Sequence, residues 1–334
     1  MRAWQICSGD GIDALQCVER ECRSPGHGEV RVAVKASSIN YRDLSTVRDP
    51  VARGIEFPRV PNSDAAGEVV EVGPGVEDLA PGDRVASCFF QRWEDGPCSG
   101  AAMASALGGP VDGVLAEEVV LRADGVVPVP AHLSYEEAAT LPCAALTAWN
   151  ALVGIAGVKA GDTVLLLGTG GVSIFALQFA RVLGVRVIIT SSSDEKLARA
   201  ADMGAWRTVN YRVHPDWERE VLALTGGAGV DAVVEVGGAG TLSRSISAVR
   251  VAGVIALIGV LTGGEIDPAA IMRKSVRLQG LYVGPRRMFR EMNRAIDFHR
   301  LRPVIHETYG FDDARAAYHA MAGARHLGKL VVTV

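Results

Sequence analysis

The feature that most constrains this fold is an unbroken apolar run that stops at a cluster of glycines. Thr163 to Leu167 is followed by the turn Gly168-Thr169-Gly170-Gly171, and Val172 to Leu183 then shows helical spacing. An apolar run without alternation is typical of a strand buried on both faces, as in a parallel sheet covered by helices. The segment therefore predicts a strand, a tight turn and a helix in that order.

The same alternation continues beyond this unit. Further strands are predicted at 185–190, 208–211, 231–236 and 254–258, with helices at 194–203, up to 224 and at 241–249. Strands that alternate with helices imply a parallel sheet with right-handed crossovers. We predict a doubly wound α/β domain over residues 131–270.

The flanking segments have a different pattern. Residues 1–130 contain short strands such as the alternating Glu29 to Lys35, and the stretch Gln91 to Pro110 lacks periodicity and predicts a long loop. Residues 271–334 predict helices at 288–299 and 312–322 and a last strand at 329–334. The chain is therefore expected to hold a smaller β-rich domain beside the α/β domain.

The glycine turn is also a candidate phosphate site. Gly168 permits a tight turn, Gly170 removes a side chain that would block a pyrophosphate, and the helix that begins at Gly171 and Val172 offers free N–H groups. Ser173 stands where the usual pattern has a third glycine. The context favours a dinucleotide-binding Rossmann domain, and the alternative is a plain glycine turn.

The end of the second strand bears on which dinucleotide binds. It reads Thr190-Ser191-Ser192-Ser193, without the acid that usually accepts hydrogen bonds from the ribose of NAD. Ser191, Ser192 and the nearby Lys196 suit a 2′-phosphate, which favours NADP(H). NAD(H) stays possible, since the serines can form a capping loop and Lys196 can be a solvated helix residue.

Composition excludes several classes of function. The formal net charge is −4 with charges interspersed, so nucleic-acid binding has no electrostatic support. No apolar stretch is long enough to span a bilayer and no signal core is present, so we expect a cytoplasmic protein that does not bind membranes. The six cysteines lack metal spacing and are expected to be free thiols.

Six stretches of the chain together form a specific pattern: Ser37 to Asp43, Val69 to Gly75, Pro81 to Val85, Gly168 to Ser173, Val209 to Tyr211, and Gly328 to Val331. With them the sequence resembles the medium-chain dehydrogenase/reductase superfamily, in particular its zinc-free branch of quinone oxidoreductases and alcohol-dehydrogenase-like reductases. The resemblance implies a GroES-like catalytic domain (residues 1–130 and 271–334), an inserted Rossmann domain, and a homodimer formed by edge pairing of the Rossmann sheets. It also implies that Lys196 and Tyr211 bracket the 2′-phosphate of NADP(H).

The zinc ligands of related enzymes are mostly missing. By the resemblance, zinc-dependent members place a cysteine at Asn40, a His-Glu pair at Ser63-Asp64 and a second cysteine at Cys143. A catalytic zinc needs three protein ligands, and one thiolate cannot supply them. We therefore expect no zinc.

The resemblance also proposes the reacting groups. Asn40 and Tyr41 are placed near the nicotinamide, where Asn40 can donate to an oxyanion and Tyr41 can donate a hydrogen bond or a proton, while Asp43 can orient a partner or the ribose. The alternative is that Asn40 and Asp43 only satisfy turn backbone groups and Tyr41 faces solvent. Phe90 and Trp93 are expected in the substrate wall, with an ordinary satellite core as the alternative. Further contacts with the cofactor are expected from Thr147, Val236, Gly237, Ile258, Gly259, Tyr282 and Val283.

Three functions follow as hypotheses. The first is zinc-independent, NADPH-linked reduction of a quinone or an α,β-unsaturated carbonyl by hydride transfer. The second is an NAD(P)-dependent alcohol or aldehyde dehydrogenase, which the missing Lewis acid disfavours. The third is a nucleotide-binding protein with a non-enzymatic role.

Overall fold

The computed structural model describes all residues from 1 to 334 and divides them into two compact units. The first unit comprises Met1–Leu146 and Val283–Val334, and the second comprises Thr147–Tyr282. No helix in either unit is long and apolar enough to cross a membrane.

The first unit is built around antiparallel β-structure. Its main sheet has seven strands in the path β14-β15-β3-β4-β5-β7, with β6 also paired to β3, and β1 and β2 form a separate pair. The predicted strand at Glu29 to Lys35 is confirmed and continues to Ile39, and this strand pairs with β4, β6 and β15. The strands are β1 (Arg2–Gln5), β2 (Gln16–Glu19), β3 (Glu29–Ile39), β4 (Asp64–Val72), β5 (Arg84–Ser87), β6 (Glu118–Arg122), β7 (Val126–Pro128), β14 (Ile305–Gly310) and β15 (Lys329–Thr333).

The second unit is the predicted doubly wound sheet. All its strand pairs are parallel, in the order β10-β9-β8-β11-β12-β13. The order reverses between β8 and β11, and ligands of open parallel sheets bind at such a switch point, outside the carboxyl ends of the strands. The strands are β8 (Thr163–Leu166), β9 (Arg186–Ser191), β10 (Arg207–Asn210), β11 (Val230–Glu235), β12 (Val249–Leu257) and β13 (Arg277–Gly280).

Helices cover both units. The segment at 91–110, expected as a loop, contains only the short α2. Turns of the wider π type flank α4, at Leu141–Ala145 and Asn150–Ala156. The helices are α1 (Tyr41–Arg48), α2 (Gly100–Met103), α3 (Tyr135–Ala139), α4 (Leu146–Trp149), α5 (Gly171–Val182), α6 (Asp194–Asp202), α7 (Trp217–Leu224), α8 (Ala239–Ala248), α9 (Pro268–Arg273), α10 (Arg286–Phe298) and α11 (Ala314–Gly323).

The unit boundaries lie later than the predicted domain limits at 131 and 270. At the first boundary, α3 packs against β3 and β4, so residues up to Leu146 belong with the β-rich unit. At the second, β13 hydrogen-bonds to β12 and extends the parallel sheet to Gly280. Both shifts arise from tertiary pairing, which the local sequence pattern does not reveal.

Candidate cofactor site and candidate active site

The predicted cofactor residues of the second unit gather at one edge of its sheet. Because every strand is parallel, the carboxyl ends of all six share that edge. Gly168 follows β8, Ser191 ends β9, Tyr211 follows β10, and Val236 and Gly237 follow β11. Ile258 and Gly259 follow β12 in the same way.

The glycine turn after β8 has the geometry of an open cradle. Gly168 has φ +69°, a left-handed conformation that favours glycine. Gly170 has φ −78° and ψ −176°, which any residue can adopt, and a Cβ built there meets no atom within 4 Å. Nothing in the chain itself therefore requires a glycine at 170, and the free space admits a ligand close to the backbone.

Helix α5 begins directly behind this turn. Gly171 and Val172 form its first turn, where backbone N–H groups have no partner within the helix. The hydroxyl of the buried Ser173 donates to the Leu167 carbonyl at 2.7 Å. The serine thus fits the close contact between helix and strand that a glycine usually makes, as expected from its small size.

The ends of β9 and β10 bring the predicted 2′-phosphate residues together. The Tyr211 backbone N–H donates to the Ser191 carbonyl at 3.1 Å, and Lys196 lies in the first turn of α6. Burial lowers the pKa of Lys196 below its ordinary value. Two acids follow the strand end: Asp194 accepts from the side chain of Asn210 at 2.6 Å, and Glu195 stands beside Lys196 in the first turn of α6. The strand end itself presents Ser191 and Ser192, with Lys196 and the half-exposed Tyr211 beside them.

A buried carboxylate that the sequence analysis missed organises the turn after β11. Glu235 is fully buried and accepts from the backbone N–H groups of Gly237 and Gly238, at 2.8 and 3.1 Å, and from the hydroxyl of Thr241 at 2.6 Å. Ser245 Oγ donates to its other oxygen. Four donors around one carboxylate hold the turn that carries the predicted cofactor residues Val236 and Gly237 in a single shape.

Packing within the chain requires a glycine at position 259, whereas the sequence predicted a contact with the cofactor there. A Cβ at this position would lie 2.0 Å from the carbonyl carbon of Val236. The turns after β11 and β12 therefore touch, and glycine is required for packing. Gly170, in contrast, faces open space.

Three other predicted cofactor residues lie at the limits of the second unit. Thr147 is buried within α4. Tyr282 follows β13 and is half-exposed, and Val283, the first residue to return to the first unit, is buried with φ +58°. A β-branched residue with positive φ is a genuine outlier that costs about 1–3 kcal/mol, and such residues concentrate at functional sites.

In the first unit, sheet register gathers a buried polar cluster at the end of β3. Leu330 pairs with Ile39, which sets Lys329 across from Asn40, and Ser38 pairs with Asp64 on the other side. All four polar residues are buried. The Lys329 Nζ donates to the Ile39 carbonyl at 2.9 Å and to Asn40 Oδ1 at 2.5 Å.

The predicted reacting pair is split between a buried and an accessible side chain. Asn40 is 7% exposed, and its Nδ2 makes no hydrogen bond of normal geometry, although the Asn40 side chain lies close enough to Asp64 to lower the pKa of that carboxyl. Tyr41, the first residue of α1, is 43% exposed. The two residues therefore combine an unsatisfied amide donor with a hydroxyl that solvent can reach.

Asp43 acts on the backbone instead of on a ribose. Its side chain is fully buried, and its two oxygens accept from the Asn40 backbone N–H at 2.8 Å and from Arg42 Nη1 at 3.0 Å. Of the predicted roles, orientation of a neighbour fits this geometry. Contact with a ribose does not, because both oxygens are engaged and enclosed.

Phe90 and Trp93 also differ from the expected substrate wall. They are 2% and 9% exposed, and their rings pack edge to face with centroids 5.5 Å apart. Phe89 continues the cluster on the other side of Phe90, at 4.7 Å. These aromatics form a satellite core, the alternative to a substrate wall, since each ring is buried and packs against a neighbouring ring.

The donor set around Asn40 does not fit a catalytic zinc. The positions offer an amide, a hydroxyl, the thiol of Cys143 and the carboxylate of Asp64, which already accepts from Ser63 Oγ at 2.6 Å and from the Cys143 backbone N–H at 3.0 Å. Burial raises the pKa of the Cys143 thiol and of Asp64, and Asp64 adds to the effect on the thiol. Nor does the structure contain three His, Cys, Asp or Glu side chains grouped to hold a metal ion. The buried ammonium of Lys329, whose pKa burial lowers, already brings a positive charge to this cluster.

Two family models match different parts of the chain. Residues 26–131 match the family model described as the alcohol dehydrogenase GroES-like domain, and residues 171–298 match the model described as zinc-binding dehydrogenase. A zinc-type alcohol dehydrogenase-like protein of Schizosaccharomyces pombe is 41% identical over 97% of this chain and 96% of its own length.

Solved structures extend the similarity over the whole fold. A structure described as an NAD-dependent alcohol dehydrogenase is 35% identical with a TM-score of 0.91, and a mycobacterial quinone oxidoreductase is 30% identical with a TM-score of 0.82. Each comparison covers 100% of both chains. The chain therefore belongs to the medium-chain dehydrogenase/reductase superfamily of NAD(P)-dependent oxidoreductases.

Proposed function

We propose that this chain is an NADPH-linked oxidoreductase that reduces a quinone or an α,β-unsaturated carbonyl compound without zinc. The observation that carries the proposal is the cluster at the end of β3. It has an unpartnered, buried amide donor and a buried ammonium where zinc-dependent members of the family have metal ligands. The similarity to a quinone oxidoreductase supports the same reaction class.

The residues of this cluster suit a conjugated acceptor. Negative charge develops on the substrate oxygen as the acceptor is reduced, and the Asn40 Nδ2 donor stabilises that charge. Conjugation spreads the charge, so a neutral donor suffices where an alkoxide would need a Lewis acid. The exposed hydroxyl of Tyr41 donates the proton that completes the reduction. The reduced nicotinamide supplies the hydride when it is bound.

The second unit supplies the proposed binding site for NADPH. Backbone N–H groups at the start of α5 hold the pyrophosphate, and Gly170 leaves the space for it. Lys196 pairs with the 2′-phosphate beside Tyr211, and the strand end offers Ser191 and Ser192 in place of the acid that would accept from the ribose of NAD. These contacts favour NADPH over NADH.

An alcohol or aldehyde dehydrogenase is the second candidate. The zinc-type alcohol dehydrogenase-like relative and the NAD-dependent alcohol dehydrogenase structure favour it. A panel separates the two: oxidation of NADPH and NADH is followed with p-benzoquinone, cyclohexenone and simple aldehydes, and reduction of NADP⁺ with simple alcohols. We expect the quinone or the enone with NADPH to give kcat/KM at least tenfold above any aldehyde. Preference for alcohols or aldehydes would select the dehydrogenase, and tight NADPH binding without turnover would select a non-enzymatic role.

We also propose that the chain forms a homodimer through the β13 edge of the parallel sheet, one of its two open edges. Strand β13 is bonded only to β12, and an unpaired edge normally needs cover. Apolar side chains near it are exposed, among them Val260 at 75% and Met272 at 69%. Sedimentation should give twice the chain mass, and Val260→Asp should shift it toward one chain. Phe298→Asp, at an 81% exposed site in the other unit, serves as the control and should stay dimeric.

A further inference from the structure

We infer that Lys329 is a positioning residue that fixes the orientation of the Asn40 amide, so that Nδ2 is held ready for the substrate oxygen. The inference rests on the proposed function of Asn40 and deepens it. Lys329 itself is not required to touch substrate.

Lys329 faces the carbonyl oxygen of the Asn40 side chain. An ammonium group can only donate hydrogen bonds, so the side-chain atom of Asn40 that faces it must be the carbonyl oxygen. The Nζ to Oδ1 distance is 2.5 Å, and a second bond from Nζ to the Ile39 carbonyl, at 2.9 Å, anchors the ammonium. The amide is thereby oriented with its NH₂ group away from Lys329.

The NH₂ group of Asn40 is left without a hydrogen bond of normal geometry. Nδ2 is buried, and the Asp64 carboxyl, whose pKa the Asn40 side chain lowers, is the group close to it; an unsatisfied buried donor is costly unless a ligand completes it. The backbone of Asn40 is held separately by Asp43, through the 2.8 Å bond from its N–H. The backbone N–H and the side-chain oxygen of Asn40 are thus both held, while the two hydrogens on Nδ2 stay available to a ligand.

Two neighbouring carboxylates favour the charged form of Lys329. Lys329 is 2% exposed, and the charged groups that face it are the carboxylates of Asp64 and Asp43. These two acids favour the ammonium form against the cost of burial, which lowers the pKa of the lysine. The cross-strand register of β15 and β3 delivers the charge to this one position.

The test is a double-mutant cycle with kcat as the readout. Asn40→Ala and Lys329→Met should each lower kcat by about 10- to 1000-fold with the best acceptor, as loss of a transition-state donor does. Because both remove the same function, the double variant should be no slower than the slower single variant. Wild-type kcat in Lys329→Met, or losses that multiply in the double variant, would overturn the inference.

A matched lysine controls for general destabilisation. Lys274 Nζ also donates to main-chain carbonyls, those of Ile246 and Ser247 at 2.9 Å. These acceptors belong to α8, in the second unit, whereas Lys329 and Asn40 belong to the first. Lys274→Met should lower the melting temperature and leave kcat within about twofold of wild type. A loss of kcat equal to that of Lys329→Met would mark the effect as structural and overturn the inference.

A spectroscopic readout does not depend on turnover. The side-chain ¹⁵NH₂ signals of Asn40, assigned by their loss in Asn40→Ala, should shift when the unreactive ketone cyclohexanone is added to wild-type protein, and shift less in Lys329→Met. An equal response in both proteins contradicts the inference. If Lys329→Met does not fold, the titration of wild-type protein is the test. Asn40 signals that do not shift when the ketone is added would then overturn the inference. Failure of the proposed function would appear separately, as wild-type protein that turns over none of the panel.

Discussion

Replacement of Gly170 by alanine should weaken cofactor binding without a large loss of fold stability, so the two effects can be measured separately. At φ −78° and ψ −176° an alanine is unstrained, and its Cβ meets no protein atom within 4 Å. The less flexible unfolded chain favours alanine by about 0.4–1 kcal/mol, but Gly170 is the N-cap of α5, where alanine is worse than glycine, so the free energy of unfolding should change by less than about 1 kcal/mol. The same methyl group occupies the space where a phosphate oxygen approaches the backbone. Loss of one charge-assisted hydrogen bond, about 1.5–3 kcal/mol, raises the Kd for NADPH about 10- to 150-fold.

Calorimetric titration with NADPH and urea unfolding should be run on two control variants as well. Gly323→Ala lies in α11 and also meets nothing within 4 Å, so it should gain stability without any change in Kd. Gly168→Ala forces a side chain into φ +69° and should lose about 1 kcal/mol or more of stability. Wild-type affinity in Gly170→Ala would refute the claim that phosphate approaches this turn. Weakened binding that merely follows a loss of stability would refute it equally.

Three further predictions concern single side chains. Glu235→Gln should lower the free energy of unfolding by about 2 kcal/mol, because an amide turns an NH₂ group toward donors that the carboxylate now satisfies, and an unchanged urea midpoint would count against this. Arg23 lowers the pKa of Glu29 below its ordinary 4.5, to about 2, so the pair contributes stability above pH 4.5 that is lost as the pH falls toward 2. Since Arg23 is largely exposed, we expect Glu29→Gln to cost about 1 kcal/mol or less near pH 6 and nothing near pH 2, and a cost independent of pH would exclude this origin. Tyr41→Phe should lower kcat by about 10- to 1000-fold if the hydroxyl supplies the proton, and an unchanged rate removes Tyr41 from the mechanism.

The parallel unit could be predicted closely because its signals are local. A buried strand such as Thr163–Leu166 has no polar alternation, and the glycine turn after it restricts what can follow. Once the strands are known to be parallel, their carboxyl ends must share an edge. The residues proposed to bind the cofactor could therefore be located from chain position alone.

The buried polar groups could not be predicted in the same way. Lys329 begins an apolar strand, and only the antiparallel register of β15 with β3 brings it to Asn40. Glu235 ends an apolar strand, and its four donors come from the turn and helix that follow. A charged residue at the end of a buried run is the one signal that was present, but it does not reveal the partner.

The differences at Asp43 and Phe90 have a related cause. Asp43 lies three residues after Asn40, the spacing at which a side chain in the first turn of a helix accepts from the backbone N–H of the N-cap residue. The structure shows this hydrogen bond, from the Asn40 N–H to Asp43. Phe90 lies in a segment without periodicity, where a buried cluster and a ligand wall give the same sequence pattern. Burial, which only the structure supplies, decides between them.

We propose that side chains, and not a metal ion, polarise the reacting carbonyl. The most direct measurement is NADPH oxidation with the best quinone or enone, before and after exhaustive dialysis against a strong chelator, with the zinc content of the same samples determined. We predict an unchanged kcat in protein that contains less than about one tenth of a zinc ion per chain, since one thiol cannot hold the metal. Activity that disappears on dialysis and returns in proportion to added zinc would contradict the account.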